Sequence, residues 1–140
     1  MKVRALLAVL FLTIAVPAVY AQDRTPAPPG SKVYFITPKD GARIKGPVTV
    51  RFGLAGMGIA PAGVPFPNSG HHHLLIDTDP PSPDQPIPAD DRHVHFGKGQ
   101  TETVLTLAPG RHTLQLLLAD HQHRPHEQPV ISEKITITVR

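Results

Sequence analysis

The stretch RHTLQLLLAD, residues 111–120, places Leu114, Leu116 and Leu118 at alternate positions. A period of two is the mark of a strand with one face in a core, because successive side chains point to opposite sides. A turn, APG, precedes it, and a polar run, DHQHRPHEQP (120–129), follows. Beyond that run, ISEKITITV (131–139) alternates again, with Ile135, Ile137 and Val139 in phase. Toward the N-terminus the same reading gives strands at TETVLTL (101–107), RHVHF (92–96), HHLLID (72–77), PVTVRFGL (47–54) and KVYFIT (32–37). PKDGARIKG (38–46) is turn-rich, AGMGIAPAGVPFPNSG (55–70) is a long structured loop, and TDPPSPDQPIPADD (78–91) is a Pro-rich loop. Proline lacks the donor that a helix interior or a central strand needs. Six to seven short strands with no helical period predict an all-β, antiparallel immunoglobulin-like β-sandwich over residues 32–140. The sequence holds no Cys and no Trp, so the likeness to antibody domains is architectural.

The first residues carry an address. Met1 to Arg4 is a basic start, Ala5 to Ala18 is almost unbroken apolar sequence, and Val19-Tyr20-Ala21 supplies small residues where a signal peptidase reads. This predicts a signal peptide over 1–21, cleaved after Ala21, and a periplasmic or secreted domain. The apolar run falls short of the roughly 20 residues a membrane span needs, and no later stretch is long enough. Residues 22–31, QDRTPAPPGS, read as a flexible Pro-rich lead-in. Without Lys2 and Arg4 the net charge of +3 falls to +1. With no basic cluster or basic-aromatic stripe, nucleic acid is not an expected partner. The absence of cysteine excludes disulfides and thiolate metal sites.

Eight of the nine histidines fall in three clusters: His71, His72 and His73; His93 and His95; His121, His123 and His126. His112 stands alone, in phase with the leucines of its strand. Each cluster contains an H-x-H step. On a strand such a pair projects from one face at roughly 6.5 Å spacing, and two imidazoles can then reach one ion at the usual zinc–nitrogen distance of about 2.0–2.1 Å. The expected ligands are His71, His73, His93, His95, Asp120, His121 and His123. His72, Glu102, His112 and His126 are further candidates, and Asp77 and Asp120 serve equally as orienting partners. His112 is better read as a core-edge histidine bonded to backbone. His72 faces away from His71 and His73 if the strand already begins at Gly70. Imidazole with carboxylate suits Cu(II) or Zn(II), and a single methionine beyond Met1, Met57, excludes a thioether-rich Cu(I) site.

Three functions follow from this pattern. The first is metal carriage, buffering or sensing. The second is a non-enzymatic interaction module, contacting protein or glycan, with a pH-responsive histidine surface. The third is a metal-dependent enzyme with Glu102 as base, although no HExxH, nucleophile elbow or phosphate loop is present. The protein partner is unspecified.

GHHHLLIDTD, HVHFGKGQTE and PGRHTLQLLLADHQHRPH, preceded by PKDG and PVTVRFGLAGMGIAPAGV, resemble a bacterial exported family described as a domain of unknown function. The resemblance runs from about Lys32 to Val139. It implies an exported immunoglobulin-like domain and no established activity. The family pattern falls on His71, His72, His73, His95, Gln100, Glu102, His112, Asp120, His121, His123 and His126. HVHFG (93–97) is also similar to the copper-ligand strand of copper-zinc superoxide dismutases, whose cysteine pair is missing here. Periplasmic copper-carrier sandwiches are a further analogy.

Overall fold

A computed structural model describes residues 24–140. The expected signal peptide lies outside the described residues. In chain order the strands are β1 (Lys32–Thr37), β2 (Arg43–Ile44), β3 (Val48–Ala55), β4 (Gly58–Ile59), β5 (Ser69–Ile76), β6 (His93–His95), β7 (Glu102–Leu105), β8 (Gly110–Ala119) and β9 (Ile135–Val139). They form two sheets. One has the order β1-β3-β7; the other has β2-β9-β8-β5-β4, with β6 also paired to β5. The long pairings are antiparallel, while β2 joins the last strand, β9, in parallel. The chain thus runs β1 and β3 in the first layer, β5 in the second, β7 back in the first, then β8 and β9 in the second. That crossover pattern is the immunoglobulin-like sandwich expected from the strand count.

The alternation read in the sequence is what fills the space between the sheets. Val48, Val50 and Phe52 from β3 meet Leu74 and Ile76 from β5, Leu114, Leu116 and Leu118 from β8, and Ile135, Ile137 and Val139 from β9. Each such side chain contributes on the order of 1.5–3 kcal/mol when fully buried.

The outer face of the second sheet is covered as well. All eight residues of β5 are buried. Leu117 and Ala119 of β8 pack beneath Ile87 and Ile131 in a second apolar cluster. Ile87 belongs to the Pro-rich segment between β5 and β6, and its amide donates to the His123 carbonyl at 2.7 Å. This segment forms no helix and no long strand, as its prolines require, yet it serves as a cover.

Several boundaries differ from the alternation reading; the largest shift is in β9, which starts at Ile135 rather than at residue 131, where Ile131 forms only an isolated bridge to Leu117. β5 starts at Ser69 rather than His72, because Gly70 lets the backbone approach β8 closely: a β-carbon there would meet the Ala119 carbonyl and Leu118. The two-residue strands β2 and β4 are too short to carry a period. The lead-in also departs from expectation over residues 24–31. Ala27 is buried in the core, and the Thr25 carbonyl accepts from the Glu127 amide at 3.0 Å.

Candidate metal centre

Because β5 begins at Ser69, His71 and His73 project from its outer face, and His72 projects into the sandwich. β6 lies antiparallel beside β5 with His73 opposite His95. His123 arrives from the β8–β9 loop, where it holds a left-handed conformation with φ 63°. Three chain segments therefore bring four imidazoles together. The ring centroids of His71, His95 and His123 are 4.8–5.0 Å apart pairwise. His73 lies 5.0 Å from both His71 and His95, and 6.1 Å from His123.

These spacings have a chemical reading. Around a tetrahedral ion bonded to each nitrogen at about 2.0–2.1 Å, ring centroids fall roughly 5 Å apart and nitrogens roughly 3.3 Å apart. The Nε2 atoms of His71 and His73 are 3.1 Å apart. His71, His95 and His123 each offer a nitrogen within 4.8 Å of the other two, and among the described residues theirs is the group that could hold an ion.

The cluster is not a solvated surface. His71 and His73 are at most 1 % exposed. Burial, then the facing His95 and His123, lowers the His71 pKa to about 4. Burial, then the imidazoles of His71, His95, His123 and His93, push His73 down to about 2. Burial, then His123, lowers His95. Neutral imidazole is the form that binds a metal. The Nδ1 atoms of His71 and His73 have no hydrogen-bond partner, and the hydrogen bond between the two rings is the Nε2–Nε2 contact at 3.1 Å. His95 is exposed and His123 partly so, which leaves one side of the cluster open to solvent. Gly97 makes room there: a β-carbon at that position would collide with the His95 ring.

The other expected ligands lie elsewhere. His93 shares the outer face but bonds through Nδ1 to Asp90 at 2.7 Å. The Asp120 carboxylate faces its own loop, accepting the amides of Gln122 and Arg124 at 2.8 and 3.1 Å. His121 points to a separate cavity of about 250 Å³ that it lines with Thr25, Phe66 and His126. His126 is buried, its pKa lowered by that burial, and its Nδ1 is 2.9 Å from the Thr25 hydroxyl. His72 packs against the Phe52 ring at 4.6 Å; burial lowers its pKa to about 4, against a weaker opposing pull from the Gly53 backbone. Glu102 sits on β7 in the other sheet, paired with Arg51, so it cannot act as a base at the histidines. His112 bonds to the Ala108 carbonyl at 2.8 Å, as a core-edge histidine should, and also to Asp77 at 2.6 Å. Gly97, Thr25 and Ile87 shape the site, and no period or spacing marks them.

A family model described as a domain of unknown function, DUF4399, matches residues 50–140, a span that holds all four clustered histidines. No curated protein matches the chain. Among solved structures the chain is similar to an endo-beta-1,4-mannanase from Thermotoga petrophila, at 20% identity and TM-score 0.46, over 79% of this chain and 20% of that one. It is also similar to the fibronectin(III)-like modules of Clostridium thermocellum CbhA, at 12% identity and TM-score 0.47, over 76% of this chain and 93% of that one. The chain therefore spans about one fifth of the mannanase.

Proposed function

We propose that this chain, which belongs to the DUF4399 family of domains of unknown function, binds one divalent transition-metal ion, Cu(II) or Zn(II), through His71, His73, His95 and His123. Its role is metal carriage, buffering or sensing outside the cytoplasm. One observation carries the reading: His71, His95 and His123, from three segments, each offer a nitrogen within 4.8 Å of the other two, with the His73 ring 5.0 Å from His71 and His95 and 6.1 Å from His123. Imidazole donors without sulfur suit these two ions. The basic start and apolar run of residues 1–21 support export. A shell filled by four imidazoles leaves no open position for a substrate, which favours holding the ion over catalysis.

The test is a competitive titration of Zn(II) and Cu(II) against a chromophoric chelator, using tag-free protein. One equivalent should bind, and His71→Ala and His95→Ala should each abolish tight binding. Binding that both variants retain would refute the site.

A second reading, a protein- or glycan-contact module, draws on Phe66, which is 68% exposed, close to exposed Val64 in the same loop. It would stand alone if the titration found no ion.

A further inference from the structure

Three of the four clustered histidines are placed by strand pairing, but His123 is not. It sits in the turn of residues 120–124 closed by the Ala119–Pro125 bridge, at a φ of 63° that side chains bearing a β-carbon adopt rarely. Something must hold it there, and the hydrogen bonds converge on one residue. The Asp120 amide donates to the Arg124 carbonyl at 2.9 Å, and the His123 amide donates to the Asp120 carbonyl at 3.0 Å. Asp120 Oδ1 accepts the amides of Gln122 and Arg124. The loop is thus wound around a single carboxylate.

Asp120 is in turn held from outside its loop. It is 1 % exposed, and its Oδ2 accepts the Thr25 hydroxyl at 3.2 Å. With that proton committed, the Thr25 oxygen accepts from His126 Nδ1 at 2.9 Å. Thr25 belongs to the segment that packs on the domain ahead of β1. Its backbone carbonyl takes the Glu127 amide, and Arg24 beside it reaches the Glu127 carbonyl at 3.0 Å.

We infer that Asp120, latched by Thr25, is a positioning residue of the metal centre: it winds the loop that delivers His123 to the other three imidazoles. The inference rests on the metal reading of the cluster. Asp120 touches no ion. Its orientation of a ligand and its buried negative charge near His71 act together, and outer partners of this kind carry about 10- to 100-fold in affinity.

Orientation and charge can be separated. Asp120→Asn keeps an Oδ1 acceptor for both amides, removes the charge and reverses the Thr25 contact, with Nδ2 donating to the hydroxyl oxygen; Asp120→Ala removes acceptor, charge and contact. In metal-free protein, NMR contacts between the His123 and His71 rings report the position directly. In Cu(II)-loaded protein, paramagnetic resonance counts bound nitrogens while a chelator competition gives affinity. Asp120→Ala should lose the ring contacts, lose one nitrogen and bind about 10- to 100-fold more weakly, with a spectrum matching His123→Ala. Asp120→Asn should keep the contacts and the nitrogen count with a smaller loss. If Asp120→Ala fails to fold, Thr25→Val carries the test, with weakened ring contacts expected. Wild-type contacts, nitrogen count and affinity in Asp120→Ala, or in Thr25→Val where that variant stands in, would overturn the inference. A wild type that binds no ion would sink the metal reading alone, because the ring contacts still test the positioning.

Discussion

The two ends of β5 shift their histidines in opposite directions. At its start, His71 and His73 are buried among other imidazoles and driven neutral. Just past its end, Asp77 takes the ring of His112, and that bond with the Ala108 carbonyl raises the His112 pKa against some burial. Asp77 in turn is lowered: burial acts to raise it, but the His112 and Thr113 bonds outweigh it. One residue type thus makes a ligand set held neutral by burial at one end and, at the other, a ring whose protonated form a carboxylate favours. Neighbours decide the charge, and the sandwich decides the neighbours.

The largest contrast is in metal binding. His71→Ala or His123→Ala should weaken Zn(II) or Cu(II) binding by more than about 100-fold, whereas His112→Ala should leave it unchanged, both read by chelator competition. Equal losses would erase the distinction between the two ends. Next in size is the stability the ion adds. At a free concentration about 100-fold above Kd it should contribute about 3 kcal/mol, measured by thermal unfolding with and without metal, and His71→Ala should remove that gain. Gly97→Ala sharpens the point further. Its β-carbon collides with Cε1 and Nε2 of the His95 ring and, less closely, meets the Ala62 β-carbon at 3.2 Å, so affinity should fall roughly tenfold while metal-free stability shifts by about 1 kcal/mol or less.

The smallest effect is the pH dependence at the far end. The folded pKa of His112 lies above its ordinary 6.5. Its contribution is therefore full below that value and is lost as pH rises through the folded pKa. Asp77, whose folded pKa lies below 3.8, loses its share only as pH falls under that value. Urea unfolding should show the gap between wild type and His112→Ala narrowing from pH 6 toward pH 9. A gap that widened over that range would give the pair the wrong sign.

Much of this fold was legible in the sequence. Leu114, Leu116 and Leu118, or Ile135, Ile137 and Val139, occupy one face because pleating has a period of two, and each set is buried as that period requires. The same rule separates His72 from His71 and His73 once the strand begins at Ser69. What could not be read was everything set by non-local geometry. Proximity in sequence grouped His93 with His95 and His121 with His123. Asp90 instead ties up His93, and the wound loop turns His121 away from His123. The cover formed by Ile87 was hidden because a Pro-rich segment has no period to betray which face it lies on. The meeting of β5, β6 and the β8–β9 loop depends on strand order, which local patterns do not encode.

The central claim is that four imidazoles share one divalent ion. Zinc-edge X-ray absorption on protein carrying one equivalent of Zn(II) tests it most directly. The account predicts a shell of four nitrogens at about 2.0–2.1 Å with the outer scattering of imidazole rings. A shell dominated by oxygen, or one with a single imidazole, would contradict it.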